Sequence, residues 1–130
     1  MAEVAGSINV EATPDAAWKL IADVGAIDTW MPMIETCEWD GESRTLTLAG
    51  GLGTLVEKVL SVDDDTRTLT YTITDGPFVA EKHLATWTVT PAGEGAVVTW
   101  TIEAEPQEIA DLMGSTIDGT LQAVKNTLEG

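Results

Sequence analysis

The chain has 130 residues, of which 44% are hydrophobic, and a formal net charge of −16 from 22 acidic and 6 basic side chains. This length suits one domain with a modest core, and the hydrophobic content excludes a disordered chain. Such an acidic surface repels phosphate groups, which argues against nucleic acids and anionic membranes as partners. Solubility is the simplest interpretation of the charge, and attraction of a cationic ligand is the functional alternative.

Several standard sites are missing from the sequence. Cys37 is the only cysteine, so neither an internal disulfide nor a cysteine-based zinc site can form. No phosphate-binding loop, dinucleotide fingerprint or nucleophile elbow occurs. No apolar run reaches the roughly 20 residues of a membrane span, and the first residues do not resemble a signal peptide. We therefore expect a cytoplasmic protein without metal or cofactor, acting as a monomer or homodimer.

The N-terminal part predicts a strand followed by two short helices. Residues 3–12 alternate between apolar and polar side chains, which is typical of a strand. Thr13 is a good N-cap and Pro14 suits the first helical position. Apolar residues then recur at helical spacing as far as Val24. A second short helix is predicted over residues 26–30.

Alternating patterns separated by Gly, Pro and Asp turns predict six further strands. They cover residues 34–39, 44–49, 54–62, 67–74, 79–90 and 96–105. Pro106 then opens one amphipathic helix of roughly 20 residues. Gly114 and Gly119 lie inside this helix, where each costs about 1 kcal/mol relative to alanine and permits a close approach or a kink.

These elements predict an α+β fold in a single domain over residues 1–130. Consecutive strands with short turns make an antiparallel sheet, and only the last helix is long enough to cover its apolar face. The expected architecture is a curved antiparallel sheet of about seven strands wrapped around a long C-terminal helix. Two short helices follow the first strand.

His83, the only histidine, opens a strand with clear alternation. It shares one face with Ala85 and Trp87, while the opposite face carries three threonines, which suit the solvent side of a strand. His83 is therefore expected to point inward. An inward imidazole beside a small alanine indicates a cavity with a polar group rather than a filled core.

A series of short segments carries a resemblance to a known superfamily. The segments are residues 10–18, Trp30-Met31-Pro32, residues 37–46, Glu57-Lys58-Val59, and residues 67–71, 85–89 and 98–100. In this order they resemble the Bet v 1-like, or START-like, superfamily with its helix-grip fold. Within it they are most similar to the bacterial polyketide cyclase/dehydratase and lipid-transport family, often labelled SRPBCC. The resemblance is specific for the fold and not for an activity, because this superfamily holds carriers, hormone receptors, cyclases and hydrolases.

The resemblance implies a ligand cavity between the sheet and the long helix. Its sheet wall would include Glu57, Tyr71, Ile73, His83, Ala85 and Trp87, and its helix wall Leu112, Thr116, Ile117 and Thr120. The turns at residues 49–52 and 76–78 resemble the gate-forming turns of the plant abscisic acid receptors. Family members often carry a tyrosine where this chain has His83.

Aromatic and sulfur-containing side chains are further candidates for ligand contact. Trp30, Trp87 and Trp100 could stack on an aromatic ligand, and Met113 could form an adaptable apolar wall. Ordinary core packing explains each of these residues equally well.

Glu57 and His83 are the candidate acid–base pair. In an apolar cavity, burial would raise the pKa of Glu57 and lower that of His83, so either group could move a proton near neutral pH. Tyr71 could orient a ligand oxygen. In the structural alternatives Glu57 pairs with an inward Arg44, His83 fills a polar gap, and Tyr71 belongs to the core.

Three functions fit these observations. The leading hypothesis is binding of a small, largely apolar molecule, aromatic or polyketide-like, with cofactor-free cyclisation or dehydration as its enzymatic version. The alternative is a non-catalytic carrier or sensor of a lipid or hydrophobic metabolite. The third is contact with another protein through a patch of Met31, Met33 and Phe78 near the cavity mouth.

Overall fold

The computed structural model describes residues 2–77 and 82–130. Seven strands lie in the described residues: β1 Ala2–Val10, β2 Ile34–Trp39, β3 Ser43–Leu48, β4 Gly53–Asp63, β5 Thr68–Asp75, β6 Lys82–Ala92 and β7 Gly95–Glu105. The α-helices are α1 Pro14–Ala22, α2 Gln107–Gly114 and α3 Ile117–Glu129, and short 3₁₀ helices cover Val24–Thr29 and Ala49–Gly51. Phe78 and the first three residues of the strand predicted over 79–90 lie outside the described residues.

The strands form one antiparallel sheet in the order β1-β7-β6-β5-β4-β3-β2. The first strand therefore pairs with the last, and every other pair joins strands that are consecutive in the chain. The sheet is curved, and the predicted α+β helix-grip architecture is confirmed.

The start of α1 follows from its local sequence. The Thr13 hydroxyl accepts a hydrogen bond from the backbone N–H of Ala16 at 3.2 Å, and Pro14 occupies the first helical turn. Both features satisfy or avoid backbone donors that a helix N-terminus leaves without partners. A 3₁₀ helix, Val24–Thr29, takes the place of the predicted second short helix.

The C-terminal helical region differs from the single helix expected after Pro106. It breaks at Ser115 and Thr116, between α2 and α3. The Ser115 hydroxyl donates to the Leu112 carbonyl at 2.6 Å, and the Thr116 hydroxyl donates to the Met113 carbonyl at 2.7 Å. Hydroxyl groups that bind nearby carbonyls compete with the helical backbone pattern.

The α-helices pack mainly on the three neighbouring strands β1, β7 and β6, at one edge of the sheet. α1 packs on β6 and β7, α2 on β7 and β1, and α3 mainly on β1. A Cβ atom at Gly6 of β1 would lie 2.5 Å from the Ile117 side chain, so glycine allows α3 to approach the strand closely. The core of the molecule holds a group of indoles: Trp87 and Trp100 stack with ring centroids 4.7 Å apart, and Trp30 meets Trp87 edge-on at 6.0 Å.

Two glycine substitutions should change stability in opposite directions. Gly6→Ala places a methyl group against Ile117 and should lower the free energy of unfolding by roughly 1–3 kcal/mol. Gly119→Ala, the matched control inside α3, meets no atom within 4 Å and should raise it by about 0.5–1 kcal/mol, because alanine loses less entropy in a helix. Urea unfolding followed by tryptophan fluorescence measures both. A destabilised Gly119→Ala variant, or an unchanged Gly6→Ala variant, would contradict this packing.

Candidate functional site

A cavity of about 380 Å³ lies within the described residues, against the inner face of the sheet. Its walls are mainly apolar and come from β2–β7, the 3₁₀ helix Val24–Thr29 with the loop after it, the loop at Leu52, and the α2 region. The lining residues are Ile27, Met31, Met33, Ile34, Leu46, Leu48, Leu52, Leu55, Glu57, Tyr71, Ile73, His83, Trp87, Trp100, Ile102, Leu112, Met113 and Thr116. Alternation along β3 and β4 could have identified Leu46, Leu48 and Leu55, which share the inward face with Glu57.

Most of the residues predicted for the site lie on this wall. Those that line the cavity are Glu57, Tyr71, Ile73, His83, Trp87, Trp100, Leu112, Met113 and Thr116. The other four, Trp30, Ala85, Ile117 and Thr120, are buried but do not line it. Ile117 and Thr120 belong to α3, which packs mainly on β1, an edge strand of the sheet. Trp30 meets Trp87 edge-on, and Ala85 pairs with Tyr71 across β5 and β6.

Glu57 forms a buried ion pair with Arg44. The two residues face each other across β3 and β4. Arg44 Nε donates to Glu57 Oε1 at 2.7 Å, and Arg44 Nη2 lies 2.7 Å from the same oxygen in an ion pair. Arg44 Nη1 donates to the Val24 carbonyl at 3.1 Å. Burial raises the pKa of the Glu57 carboxyl, and the adjacent guanidinium opposes that rise. Because arginine stays protonated in proteins, its contact with the carboxylate is charge-assisted.

His83 bridges a place where two strands separate. The β5–β6 ladder ends at the Tyr71–Ala85 pair. Beyond it, His83 Nδ1 accepts a hydrogen bond from the Ile73 backbone N–H at 3.1 Å, and the Thr72 hydroxyl donates to the His83 carbonyl at 2.6 Å. The imidazole thus satisfies a backbone donor that the ladder no longer serves. Burial lowers the pKa of His83 to about 4, so the ring is neutral at pH 7 and carries its proton on Nε2.

Tyr71 lies between these two groups. The Arg44 guanidinium carbon is 5.0 Å from the centre of its ring, and the His83 ring centroid is 6.1 Å away. Burial is the main cause that raises the pKa of the Tyr71 phenol well above its usual value, and the Glu57 charge adds to the rise. The indole N–H groups of Trp87 and Trp100 oppose this rise in the pKa. Trp100 Nε1 is buried without a hydrogen bond of good geometry to any described residue.

The expected Glu57–His83 pair is not joined by a hydrogen bond. Glu57 is held by Arg44, and His83 by the Ile73 backbone. The register places Ile73 beside Glu57 on the neighbouring strand, so the Ile73 residue lies between the two polar groups. Glu57 therefore has Arg44 as its partner, and His83 has a structural role. These are the structural alternatives that the sequence analysis left open.

The mouth of the cavity is marked by exposed leucines. Leu52 is 56% exposed and Leu112 is 47% exposed, yet both line the cavity. The patch predicted from Met31, Met33 and Phe78 is corrected at Met31. Met31 is buried because it packs into the core, Met33 is half-buried, and Phe78 lies outside the described residues.

The low pKa of His83 should make stability depend on pH. The unfolded chain takes up a proton near pH 6.5 and the folded chain only near pH 4, so the histidine's contribution is lost as the pH falls between these values. His83→Asn keeps an acceptor near the Nδ1 position and does not titrate. Urea unfolding between pH 4 and pH 7 should show a steeper loss of stability in the wild type than in this variant.

A second measurement gives the pKa directly. Since His83 is the only histidine, its imidazole C–H resonances can be followed by NMR without ambiguity. A midpoint near pH 6.5, or parallel stability profiles of wild type and His83→Asn, would contradict the tethered neutral ring.

No site for a metal and no membrane-spanning helix emerges from these residues. Within residues 2–77 and 82–130, no group of three or more His, Cys, Asp or Glu side chains could hold a metal ion. None of the described helices is both long and apolar enough to cross a membrane.

Comparisons with known proteins place the chain in a family. The XoxI protein of Bacillus cereus is 24% identical, with a TM-score of 0.91 over 98% of this chain and 96% of that chain. A START superfamily protein of Mycobacterium smegmatis (16% identity, TM-score 0.81, coverage 98% and 97%) and Ara h 8.0201 (17%, 0.77, 98% and 97%) share the fold. No curated protein matches the sequence. A family model described as polyketide cyclase / dehydrase and lipid transport matches residues 1–129, and the chain therefore belongs to that family.

Proposed function

We propose that this protein binds a small, largely apolar molecule in its cavity and holds it without converting it, as a carrier or sensor. The observation that carries the proposal is the cavity itself, about 380 Å³ in volume and lined mainly by Ile, Leu, Met and Trp side chains. Close-packed interiors do not normally retain voids of this size. Transfer of an apolar ligand to these walls gains roughly 25 cal/mol per Å² of surface removed from water.

The wall chemistry supports an aromatic or polyketide-like ligand. Trp87 and Trp100 present a stacked pair of indoles, and flat ligands gain from offset or edge-on contact with such rings. Methionines at positions 31, 33 and 113 supply flexible apolar surface that adapts to different shapes. The family description, which names lipid transport, agrees with a hydrophobic ligand.

The enzymatic version of the proposal is a cofactor-free cyclase or dehydratase, which the family description also names. In that version Glu57 and His83 move protons and Tyr71 holds an oxygen. The observed bonds favour the carrier instead. Glu57 Oε1 is occupied by Arg44, and the His83 nitrogen without a proton already accepts from Ile73. A ring with a pKa of about 4 is also a weak base at neutral pH.

The net charge and the cysteine content support a cellular location and an oligomeric state. A surface with a net charge of −16 keeps a monomer or homodimer soluble. A single free cysteine is typical of a reducing compartment, so we propose the cytoplasm as the site of action.

Native mass spectrometry of the purified protein tests the binding function. A hydrophobic molecule should co-purify with the wild type and with Leu60→Trp, whose side chain is 51% exposed and outside the cavity. It should be reduced or absent in Ile73→Trp, which fills the cavity from β5. A ligand retained equally by Ile73→Trp, or no ligand and no uptake of apolar probes by the wild type, would refute the proposal.

Incubation of the wild type with a candidate polyketide distinguishes the carrier from the enzyme. A carrier should return the compound unchanged. Conversion that is lost in His83→Gln and in Glu57→Gln would establish the cyclase instead. Circular dichroism of both variants controls for misfolding.

A further inference from the structure

The Trp100 side chain carries a buried hydrogen-bond donor without a partner. The residue is 6% exposed and lines the cavity, and its Nε1 atom has no hydrogen bond to any described residue. Trp18, which is similarly buried, shows the usual arrangement, because its Nε1 donates to the Asp64 carboxylate at 2.9 Å. A buried polar group without a partner costs free energy, and native proteins keep few of them. Since an indole N–H is a donor only, the group that Trp100 needs is an acceptor.

The packing around Trp100 holds its indole in one orientation. Trp100 lies opposite Trp87 in the β6–β7 ladder and opposite Gly6 in the β1–β7 ladder. Its ring stacks on that of Trp87, with the two planes 11° apart. Trp87 is held in turn by Trp30, which meets it edge-on. Side chains in such a close-packed group have little room to turn, so the acceptor has to come to the N–H group.

The Tyr71 phenol is a second polar group on this part of the wall. The Trp100 N–H group is close enough to oppose the rise in the pKa of Tyr71, but it makes no hydrogen bond of good geometry with the phenol oxygen. Tyr71 also lines the cavity, and its hydroxyl can donate a hydrogen bond. A carbonyl oxygen has two lone pairs and no proton of its own. It therefore matches a pair of donors, one indole N–H and one phenol O–H.

The lining favours a neutral ligand over an anion. No Lys or Arg occurs among the described residues that line the cavity, and the acidic residue among them is Glu57. His83 also lines the cavity, and its ring is neutral at pH 7 because burial lowers its pKa to about 4. A carboxylate placed in this apolar space would lose its water without gaining a cation, which is expensive. A ketone or an ester brings an acceptor without that penalty.

We propose that Trp100 Nε1–H is a ligand-binding donor, and that the cavity selects neutral carbonyl compounds, ketones or esters, whose oxygen accepts from it. This selectivity rests on the proposed binding function and names the ligand class for the same cavity. Trp100 then contributes a polar contact in addition to the apolar surface of its ring.

Three naphthalene probes with one skeleton test the selectivity in the wild-type protein. A cavity of about 150 Å³ can hold benzene, so a cavity of about 380 Å³ accommodates two fused rings. The probes are 2-acetylnaphthalene, 2-isopropenylnaphthalene, in which a CH₂ group replaces the carbonyl oxygen, and 2-naphthoate, which is an anion at pH 7. Calorimetric titration in about 0.5 M NaCl screens the charge of the protein surface.

The ketone should bind roughly three- to tenfold more tightly than the alkene of the same shape, as one additional hydrogen bond implies, and more tightly than the carboxylate. Equal binding of the ketone and the alkene would overturn the role of the donor while the binding function stands. Binding of 2-naphthoate as tight as that of the ketone would overturn the selection of neutral ligands. If none of the probes binds, the proposed binding function fails as well.

Two tryptophan variants identify the donor responsible. Trp100→Phe removes the N–H group and keeps an aromatic ring, so the ratio of ketone affinity to alkene affinity should fall towards one. Both probes lose the same apolar contacts in this variant, so the ratio reports the hydrogen bond alone. Trp39→Phe is the matched control, because Trp39 is 40% exposed and outside the cavity lining, and it should leave the ratio unchanged. An unchanged ratio in Trp100→Phe would overturn the assignment.

NMR of the wild type observes the donor directly and does not depend on the folding of a variant. The chain has five tryptophans, and their indole N–H groups give separate signals after ¹⁵N labelling. One of these signals should move downfield when the ketone is added and not when the alkene is added, and it should be the signal missing from Trp100→Phe if that variant folds. The absence of any such ketone-specific shift would overturn the proposal.

Discussion

The buried Arg44–Glu57 pair is the interaction on which the site depends. It joins β3 to β4, reaches the Val24 carbonyl at the start of the 3₁₀ helix, and places a guanidinium 5.0 Å from the centre of the Tyr71 ring. Desolvation offsets much of the Coulombic attraction in such a pair, so its net contribution to stability is small. The pair matters because removal of either partner would leave the other as a buried charge without compensation.

The position of the cavity follows from how the helices cover the sheet. α3 approaches β1 closely at Gly6, and α2 lies over β7 and β1. The indoles of Trp30, Trp87 and Trp100 fill the adjoining space. Among the described residues, the helices pack mainly on β1, β6 and β7, and the cavity extends over the inner face of β3, β4 and β5. Leu112, Met113 and Thr116, at the end of α2 and in the break that follows it, line this space, whereas Ile117 and Thr120 of α3 do not.

The polar groups on the wall are better suited to recognition than to proton transfer. His83 acts first as a backbone substitute where β5 and β6 part, and Glu57 acts first as the counter-ion of Arg44. Both residues also line the cavity. An apolar cavity with a few fixed polar atoms is the usual arrangement of a small-molecule site, and it fits a family whose members share a fold more than an activity.

Much of the fold could be predicted from local patterns. Period-two alternation identified the strands and the inward faces of Tyr71 and His83, and Thr13 with Pro14 identified the start of α1. The cavity-facing position of Glu57 followed from the family resemblance. The break in the C-terminal helix was missed, since hydroxyl groups bound to nearby carbonyls decide it and not the apolar spacing, which continues through the break. Trp30 and Ala85 were misplaced relative to the cavity because alternation tells which face a side chain occupies but not what lies in front of it.

The sequence by itself determined the order of the elements, the direction of each side chain and the family, because these follow from local periodicity and from motifs along the chain. Only the tertiary structure decided the partners of the polar groups. Arg44 meets Glu57 through the register of two strands, and His83 meets Ile73 because β5 and β6 diverge after the Tyr71–Ala85 pair. Register and divergence arise from the packing of the whole sheet, and the alternation of a single strand does not contain them.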